Sequence, residues 1–256
     1  MHIDPTARAA GMRHIAFDTI GSTNAEALTR ARAGERGPLW ITAAHQTAGR
    51  GRRGNSWVSS PGNLFATLLL SELPRMEIAP QLSFVAALAV HDAIVRCTPH
   101  LDALTTLKWP NDVLIAAKKV AGLLIEGESG PTNSVAIGIG ANCASHPLDT
   151  SYPATDLGAE GARTTAATLF STLTATMVER LAQWRARDGF AGTRADWLAR
   201  AAGLGKPIRV RLTDRELAGR FHGLDEAGRL LLAQDGGAME TITAGEVFSL
   251  GAGVEH

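Results

Sequence analysis

Three short stretches carry side chains whose types and spacing suit the chemistry of anions and polar ligands. The first is Thr47-Ala48-Gly49-Arg50-Gly51-Arg52-Arg53-Gly54-Asn55. Its glycines let the backbone reach positive φ and approach a ligand closely, and its guanidinium forks match phosphate or carboxylate oxygens. Together they suggest an anion clamp that orders on its ligand. Composition alone equally allows a solvated basic loop or a nucleic-acid patch. The second stretch is Lys108-Trp109-Pro110-Asn111-Asp112, with Lys118 and Lys119 in the turn that follows. A lysine beside an apolar hairpin is partly desolvated and would stabilise a carboxylate or phosphoryl oxygen; a plain turn with surface lysines is the alternative. The third is Ser22-Thr23-Asn24 at the start of an expected helix. Free N–H groups and short polar side chains there either hold a polar ligand or simply cap the helix.

Other chemistries lack their residues. No GxxxxGK[ST] occurs, and the Gly205-Lys206 pair runs into Pro207. Gly138-Ile139-Gly140 follows a strand, but it lacks the third glycine of a dinucleotide fingerprint and opens no apolar helix. There is no GxSxG elbow, and the eight histidines form no ligand pair. Cys97 and Cys143 match neither CxxC nor a zinc spacing and read as small buried hydrophobes in a reducing compartment.

The elements that must position these stretches follow from periodicity. Alternating or continuous apolar runs predict strands over 14–18, 39–44, 63–70, 104–109, 113–115, 120–126 and 134–140. Three- and four-residue recurrence predicts helices over 79–96 and 164–187. Thr23 and Glu26 have capping-box spacing for a helix to about residue 33, with Gly34 placed to stop it. Residues 1–13 read as a loose arm. After Gly203-Leu204-Gly205 the pattern becomes short strands, 208–212, 217–224, 229–233, 239–242 and 246–250, separated by Asp, Gly and Glu turns. That is the scale of a small β-barrel appended to an α/β body.

Composition bounds the rest. The 256 residues suit a main domain with an appendage, and an apolar share of 45% excludes bulk disorder. With 25 basic against 25 acidic residues, coating nucleic acid or an anionic membrane is not the expected task. No apolar run is long enough to span a bilayer, and the N-terminus lacks a signal-peptide pattern, so a soluble, cytoplasmic protein is expected.

The three stretches occur in an order that resembles the biotin protein ligases. The matching segments are Gly21-Ser22-Thr23-Asn24, Gln46 through Gly54 with Trp57, and Lys108-Trp109-Pro110-Asn111-Asp112. Lys119-Val120-Ala121-Gly122-Leu123-Leu124-Ile125-Glu126 and Ile137-Gly138-Ile139-Gly140-Ala141-Asn142 continue the match. The resemblance implies an α/β (α+β) catalytic domain over 1–204, with a mixed sheet flanked by helices, and an SH3-like β-barrel over 205–256. It implies an enzyme that joins biotin and ATP, with Mg²⁺, into biotinyl-5′-adenylate and passes biotin to a lysine of a biotin carboxyl carrier domain.

By resemblance, Ser22, Thr23, Asn24 and Gln46 contact biotin, with Arg50, Gly51, Arg52, Lys119 and Gly122 around it. A ureido group offers both donors and an acceptor to such hydroxyls and amides. Arg50, Arg52, Arg53, Trp57, Asn111 and Asn142 fall on the ATP and adenylate side. Lys119, Arg50 and Asp112 are the expected catalytic residues, Asp112 also serving the metal. A homodimer fits the family. Ser22 lies too near Met1 for a preceding winged helix-turn-helix domain, so no DNA partner is expected. The family's terminal Ser-Leu-Arg is replaced by Ser249-Leu250-Gly251, which removes an arginine expected near ATP. Two rivals stay open: a lipoate or octanoate ligase or transferase of the same fold, and a non-catalytic binder of biotin or adenylate.

Overall fold

The computed structural model describes residues 1–130, 132–150, 152–186 and 188–249. Its main body is a seven-stranded mixed sheet. The strands are β1 (Arg13–Ile20), β2 (Leu39–Gln46), β3 (Leu64–Ser71), β4 (Thr105–Lys108), β5 (Asp112–Ile115), β6 (Lys118–Glu128) and β7 (Ser134–Ala141). They lie in the order β1-β2-β3-β7-β6-β5-β4, with β1 and β2 parallel and every other pair antiparallel. The β5–β6 connection closes with Ala116 and Ala117 both at positive φ, 48° and 63°, the conformation a tight hairpin turn demands.

The helices cover the sheet unequally. On one face α3 (Gln81–Cys97) is buried along most of its length beneath α4 (Ala166–Arg185) and α5 (Phe190–Leu198). On the other face lies α2 (Thr23–Arg32), across β2, β3 and β7. Central strands covered on both sides become continuous apolar runs. In β3, Leu64, Ala66, Leu68 and Leu70 enter the α3 core, while Leu69 joins Ala27, Leu28, Leu39, Ile41 and Ala136 under α2. Beyond the N-terminus of α2, the part of this face formed by Gly122, Leu124, Gly138 and Gly140 is covered by no helix among the described residues.

A second, antiparallel sheet follows: β8 (Pro207–Arg211), β9 (Glu216–Leu224), β10 (Leu230–Ala233), β11 (Met239–Ile242) and β12 (Glu246–Ser249), in the order β11-β10-β9-β8-β12. This is the strand content expected of the small barrel. Its apolar face continues the main core through Ile208, Val210, Phe221 and Leu232. Trp109 Nε1 ties the two sheets by donating to the Gly228 carbonyl at 3.1 Å.

Two readings of the N-terminal part need correction. Residues 1–13 are not a loose arm: α1 (Pro5–Ala9) is capped by Asp4, whose carboxylate accepts from Thr6 N at 2.7 Å. Ile3, Ala7 and Met12 are buried, and the Asp4 amide donates to Thr174 Oγ1 at 2.9 Å. A single helical turn is too short to show periodicity. The cap of α2 is Ser22, not Thr23, and Glu26 turns away to Arg30 at 2.7 Å instead of closing a capping box. The expected ends of α4 at Arg187 and of β12 at Leu250, and the Leu250-Gly251 replacement, lie outside the described residues.

Candidate active site

Period-two alternation decides which strand residues face the uncovered side. Ala121, Leu123, Val135, Ile137 and Ile139 point into the α3 core. Gly122, Leu124, Gly138 and Gly140 therefore point the other way, and they floor a cleft of about 1030 Å³, counted out to its open mouth. Its walls are the N-terminus of α2, the Gly/Arg loop after β2, the turn from Trp109 to Asp112, Lys119, and the Gly245–Val247 turn of the second sheet. Every residue that the resemblance places at the site lines this cleft except Asn142, and Lys118 turns away to pair with Glu160. Asn142 is buried elsewhere and donates through Nδ2 to the Thr155 carbonyl at 3.0 Å.

The floor works because it lacks Cβ atoms. A Cβ on Gly138 would lie 2.3 Å from Asn24 Oδ1, and one on Gly140 would lie 2.4 Å from Trp57 Cε2. Gly122, directly opposite Gly140, leaves room for both Trp57 and Lys119, whose nearest atoms would sit 2.8 and 3.0 Å from a Cβ there. The indole of Trp57 thus rests on the floor, and its Nε1 is buried without a hydrogen-bond partner.

At the α2 end, a buried relay fixes the polar side chains. Gln46 Oε1 accepts from Thr23 N at 2.9 Å and Thr23 Oγ1 at 3.1 Å. Thr67 Oγ1 lies 2.8 Å from Thr23 Oγ1 and 2.7 Å from Asn24 Oδ1. Asn24 Nδ2 donates to the Leu124 carbonyl at 3.2 Å and to Glu126 at 2.8 Å. Both amide hydrogens of Asn24 are therefore spent within the protein. Ser22 Oγ and Gln46 Nε2 make only long contacts, each 3.5 Å, to Ala25 N and Ser59 Oγ, so these two remain available to a ligand.

At the opposite end Lys119 Nζ stands 2.7 Å from Asp112 Oδ1, with both side chains about 15% exposed. The angle leaves that oxygen without a well-formed hydrogen bond. The rings of Tyr152 and Trp57 flank the ammonium, their centroids at 5.0 and 5.6 Å, within cation–π range. The Lys119 backbone is held by Pro153 O at 2.8 Å and by Thr155 N at 2.9 Å. Arg52 reaches Asn111 Oδ1 at 3.3 Å and the Gly245 carbonyl at 3.4 Å, and Arg53 takes φ 55° at the loop tip.

The cleft holds five cationic side chains, Arg50, Arg52, Arg53, Lys108 and Lys119, against the carboxylates of Asp112 and Glu246. Burial pushes the Lys108 ammonium below its ordinary pKa, with Asp112 and Glu246 opposing and Lys119 reinforcing the shift. Burial, then the neighbouring Arg53, pushes Arg52 down as well. Crowded and partly desolvated cations favour an anionic occupant. Among the described residues no three His, Cys, Asp or Glu side chains gather as a metal cage.

Several lining or supporting residues escape a sequence reading. Thr67 and Glu126 lie in strands that read as core, Tyr152 lies in an irregular segment, and Gly245–Val247 belong to the second sheet. The single tyrosine of the chain was the one available signal for Tyr152.

Residues 17–142 match the Biotin/lipoate A/B protein ligase family, and residues 203–249 match the Biotin protein ligase C terminal domain. A biotin–[acetyl-CoA-carboxylase] ligase of Paracoccus denitrificans is 43% identical over 238 residues, 89% of this chain and 96% of its own. The biotin protein ligase from Aquifex aeolicus in complex with biotin and ATP superposes with a TM-score of 0.75 at 27% identity, over 92% of this chain and 97% of its own. The Leishmania major enzyme in complex with biotinyl-5-AMP gives a TM-score of 0.63 at 25% identity, over 91% and 99%.

Proposed function

Because this chain belongs to the biotin protein ligase family, we propose that it attaches biotin to a lysine of a biotin carboxyl carrier domain by way of biotinyl-5′-adenylate. The observation that carries this reading is the convergence, in one cationic cleft, of the Gly/Arg loop, the Lys119–Asp112 pair and the free polar groups of Ser22 and Gln46. In the first step a biotin carboxylate oxygen attacks the α-phosphorus of ATP and pyrophosphate leaves. In the second, the acceptor amine attacks the acyl carbon, the bond to AMP breaks, and the amine loses a proton.

Ser22 and Gln46 Nε2 bind the ureido end, while Thr23 and Asn24 frame it. Lys119 orients the carboxylate and offsets charge as the anhydride forms. Arg52 and Arg53, with the backbone of Arg50 and Gly51, cradle the phosphate side, where preorganised donors matter most. Trp57 covers the adenylate, and Asn111 holds the tip of the loop through Arg52. Asn142 acts one step removed, by bracing the Thr155 segment that pairs with Lys119. The carboxylates of Asp112 and Glu246, the two that line the cleft, would hold a Mg²⁺ ion, which takes one or two carboxylates and completes its shell with water and phosphates. When bound, it neutralises polyphosphate charge.

We place the catalytic domain at 1–204 and the C-terminal domain at 205–256, divided at the turn where Gly203 and Gly205 both take positive φ. A homodimer and a cytoplasmic setting complete the reading; among the described residues no helix is long and apolar enough to cross a membrane. Biotin-dependent exchange of pyrophosphate into ATP tests the function. Exchange with lipoate or octanoate but not with biotin would overturn it.

A further inference from the structure

We propose that Glu126 is a positioning residue for the Gly/Arg loop, tying the neck of the loop at Arg50 to the buried polar floor beneath α2. A single carboxylate oxygen, Oε2, accepts from Asn24 Nδ2 at 2.8 Å and from Arg50 Nη2 at 3.1 Å. This closes a circuit. From Gln46, where β2 ends, the relay runs through Thr23, Thr67 and Asn24 to Glu126 and returns to the chain at Arg50. The loop is thereby held at both ends of its first four residues.

Position within the loop gives this contact its meaning. Arg50 pairs with Ser56 as an antiparallel bridge, Gly51 N donates to Asn55 O at 2.7 Å, and Trp57 N donates to Gly49 O at 3.0 Å. Residues 49–51 and 55–57 are therefore a neck, and 52–54 a tip. The tip is tethered by two long contacts from Arg52, at 3.3 and 3.4 Å. The neck has the shorter anchor and the one in which both partners carry charge. A loop anchored at its neck and loose at its tip keeps the Arg50–Gly51 backbone in register while Arg52 and Arg53 move to meet a ligand.

Glu126 stands behind the lining of the cleft and its charge is paired with Arg50, so it repels an anion there only weakly. Gly138 completes the arrangement, since the missing Cβ is what lets Asn24 Oδ1 sit against β7 within reach of Thr67. The Arg50 side chain is nearly half exposed, so the ion pair alone contributes little; the anchor draws its strength from the same carboxylate also holding the buried Asn24 amide.

The kinetic part of this proposal rests on the ligation reading; the structural part does not. Trypsin cleavage after Arg50 in the ligand-free protein, followed by mass spectrometry, reads the neck directly, with cleavage after Arg52 and Arg53 in the tip as the internal reference. Glu126→Ala is expected to speed that cleavage about tenfold, the equivalent of about 1.4 kcal/mol of lost anchoring. Glu126→Gln keeps the shape and the Asn24 contact but loses the ion pair, so roughly threefold is expected. In exchange assays KM for biotin rises about tenfold in Glu126→Ala, with kcat within about threefold of the parent. The near-isosteric Gln variant guards against a folding failure of the Ala variant. Unchanged cleavage in both variants overturns the proposal, as does a fall in kcat at constant KM, which would put Glu126 in the chemical step. If the parent shows no biotin-dependent exchange, the ligation reading fails while the cleavage rates still decide the anchor.

Discussion

Lys119→Ala separates the cation's role in chemistry from its role in holding the cleft together. With Nζ 2.7 Å from Asp112 Oδ1, Coulomb's law at an effective dielectric of about 20 gives a gross attraction of ~6 kcal/mol. Desolvating both groups offsets most of that, and water still reaches side chains that are about 15% exposed. The expected net destabilisation is about 2 kcal/mol, caused chiefly by the stranded Asp112 carboxylate, and it lowers Tm by roughly 4–8 °C for a chain of this size. The catalytic loss is larger: removing a preorganised charge from beside the reacting carboxylate costs roughly 10²–10³ in rate, or about 2.7–4 kcal/mol. Adding Asp112→Asn removes the stranded charge, so the double variant regains most of the lost Tm but none of the exchange activity. Pyrophosphate–ATP exchange and thermal melts of the parent, single and double variants measure both quantities. Exchange within threefold of the parent in Lys119→Ala would remove Lys119 from the mechanism.

Two further outcomes follow from local geometry. Gly140→Ala places a methyl 2.4 Å from Trp57 Cε2, so the indole leaves the floor and the new Cβ intrudes on the ligand; biotin affinity by calorimetry falls roughly tenfold, and an unchanged Kd would refute the floor. His14 is pushed down to about 4, first by burial and then by the N-terminal ammonium and His2, while its Nε2 lies 2.9 Å from Thr42 Oγ1. The unfolded chain takes up this proton near pH 6.5 and the folded chain only near pH 4, so stability is full above 6.5 and declines as pH falls from 6.5 to 4. His14→Gln flattens that part of the pH dependence in urea melts.

Sheet strands are legible in this sequence to within two residues at each end because both faces of the central strands are covered, which makes them short apolar runs between turn residues. What fails is whatever depends on contacts distant in the chain. The α1 turn earns its place by packing Ile3 and Ala7 on the core and by Asp4 meeting Thr174, neither visible in five residues of helix. Ser22 caps α2 in place of Thr23 because Thr23 is taken by Gln46 and Thr67, a tertiary demand that outweighs the local capping signal. The site is legible where its residues are contiguous, as in the loop and the Lys108–Asp112 turn. It is opaque where a single side chain such as Glu126 or Tyr152 arrives from a strand or an irregular segment.

The glycines of β7 show how one spacing carries two meanings. Gly138 and Gly140 look like a broken dinucleotide fingerprint, whose glycines serve a turn before a helix and a pyrophosphate at that helix's N-terminus. No helix follows, and the two residues lie inside a strand, where a spacing of two means one face rather than one turn. Pairing then sets Gly122 of β6 opposite Gly140, so three missing side chains join into one bare patch of sheet. Glycine weakens a strand interior and is tolerated where something must approach the backbone closely. Here the approaching groups are Asn24, Trp57 and Lys119, each belonging to a different element. The same omission of side chains thus makes room for the Asn24 amide, the Trp57 indole and the Lys119 ammonium at once. For that reason a methyl group at Gly122 or Gly140, where it meets Trp57 or Lys119, disturbs ligand binding before it disturbs the fold, whereas one at Gly138 breaks the buried Asn24 relay and disturbs both.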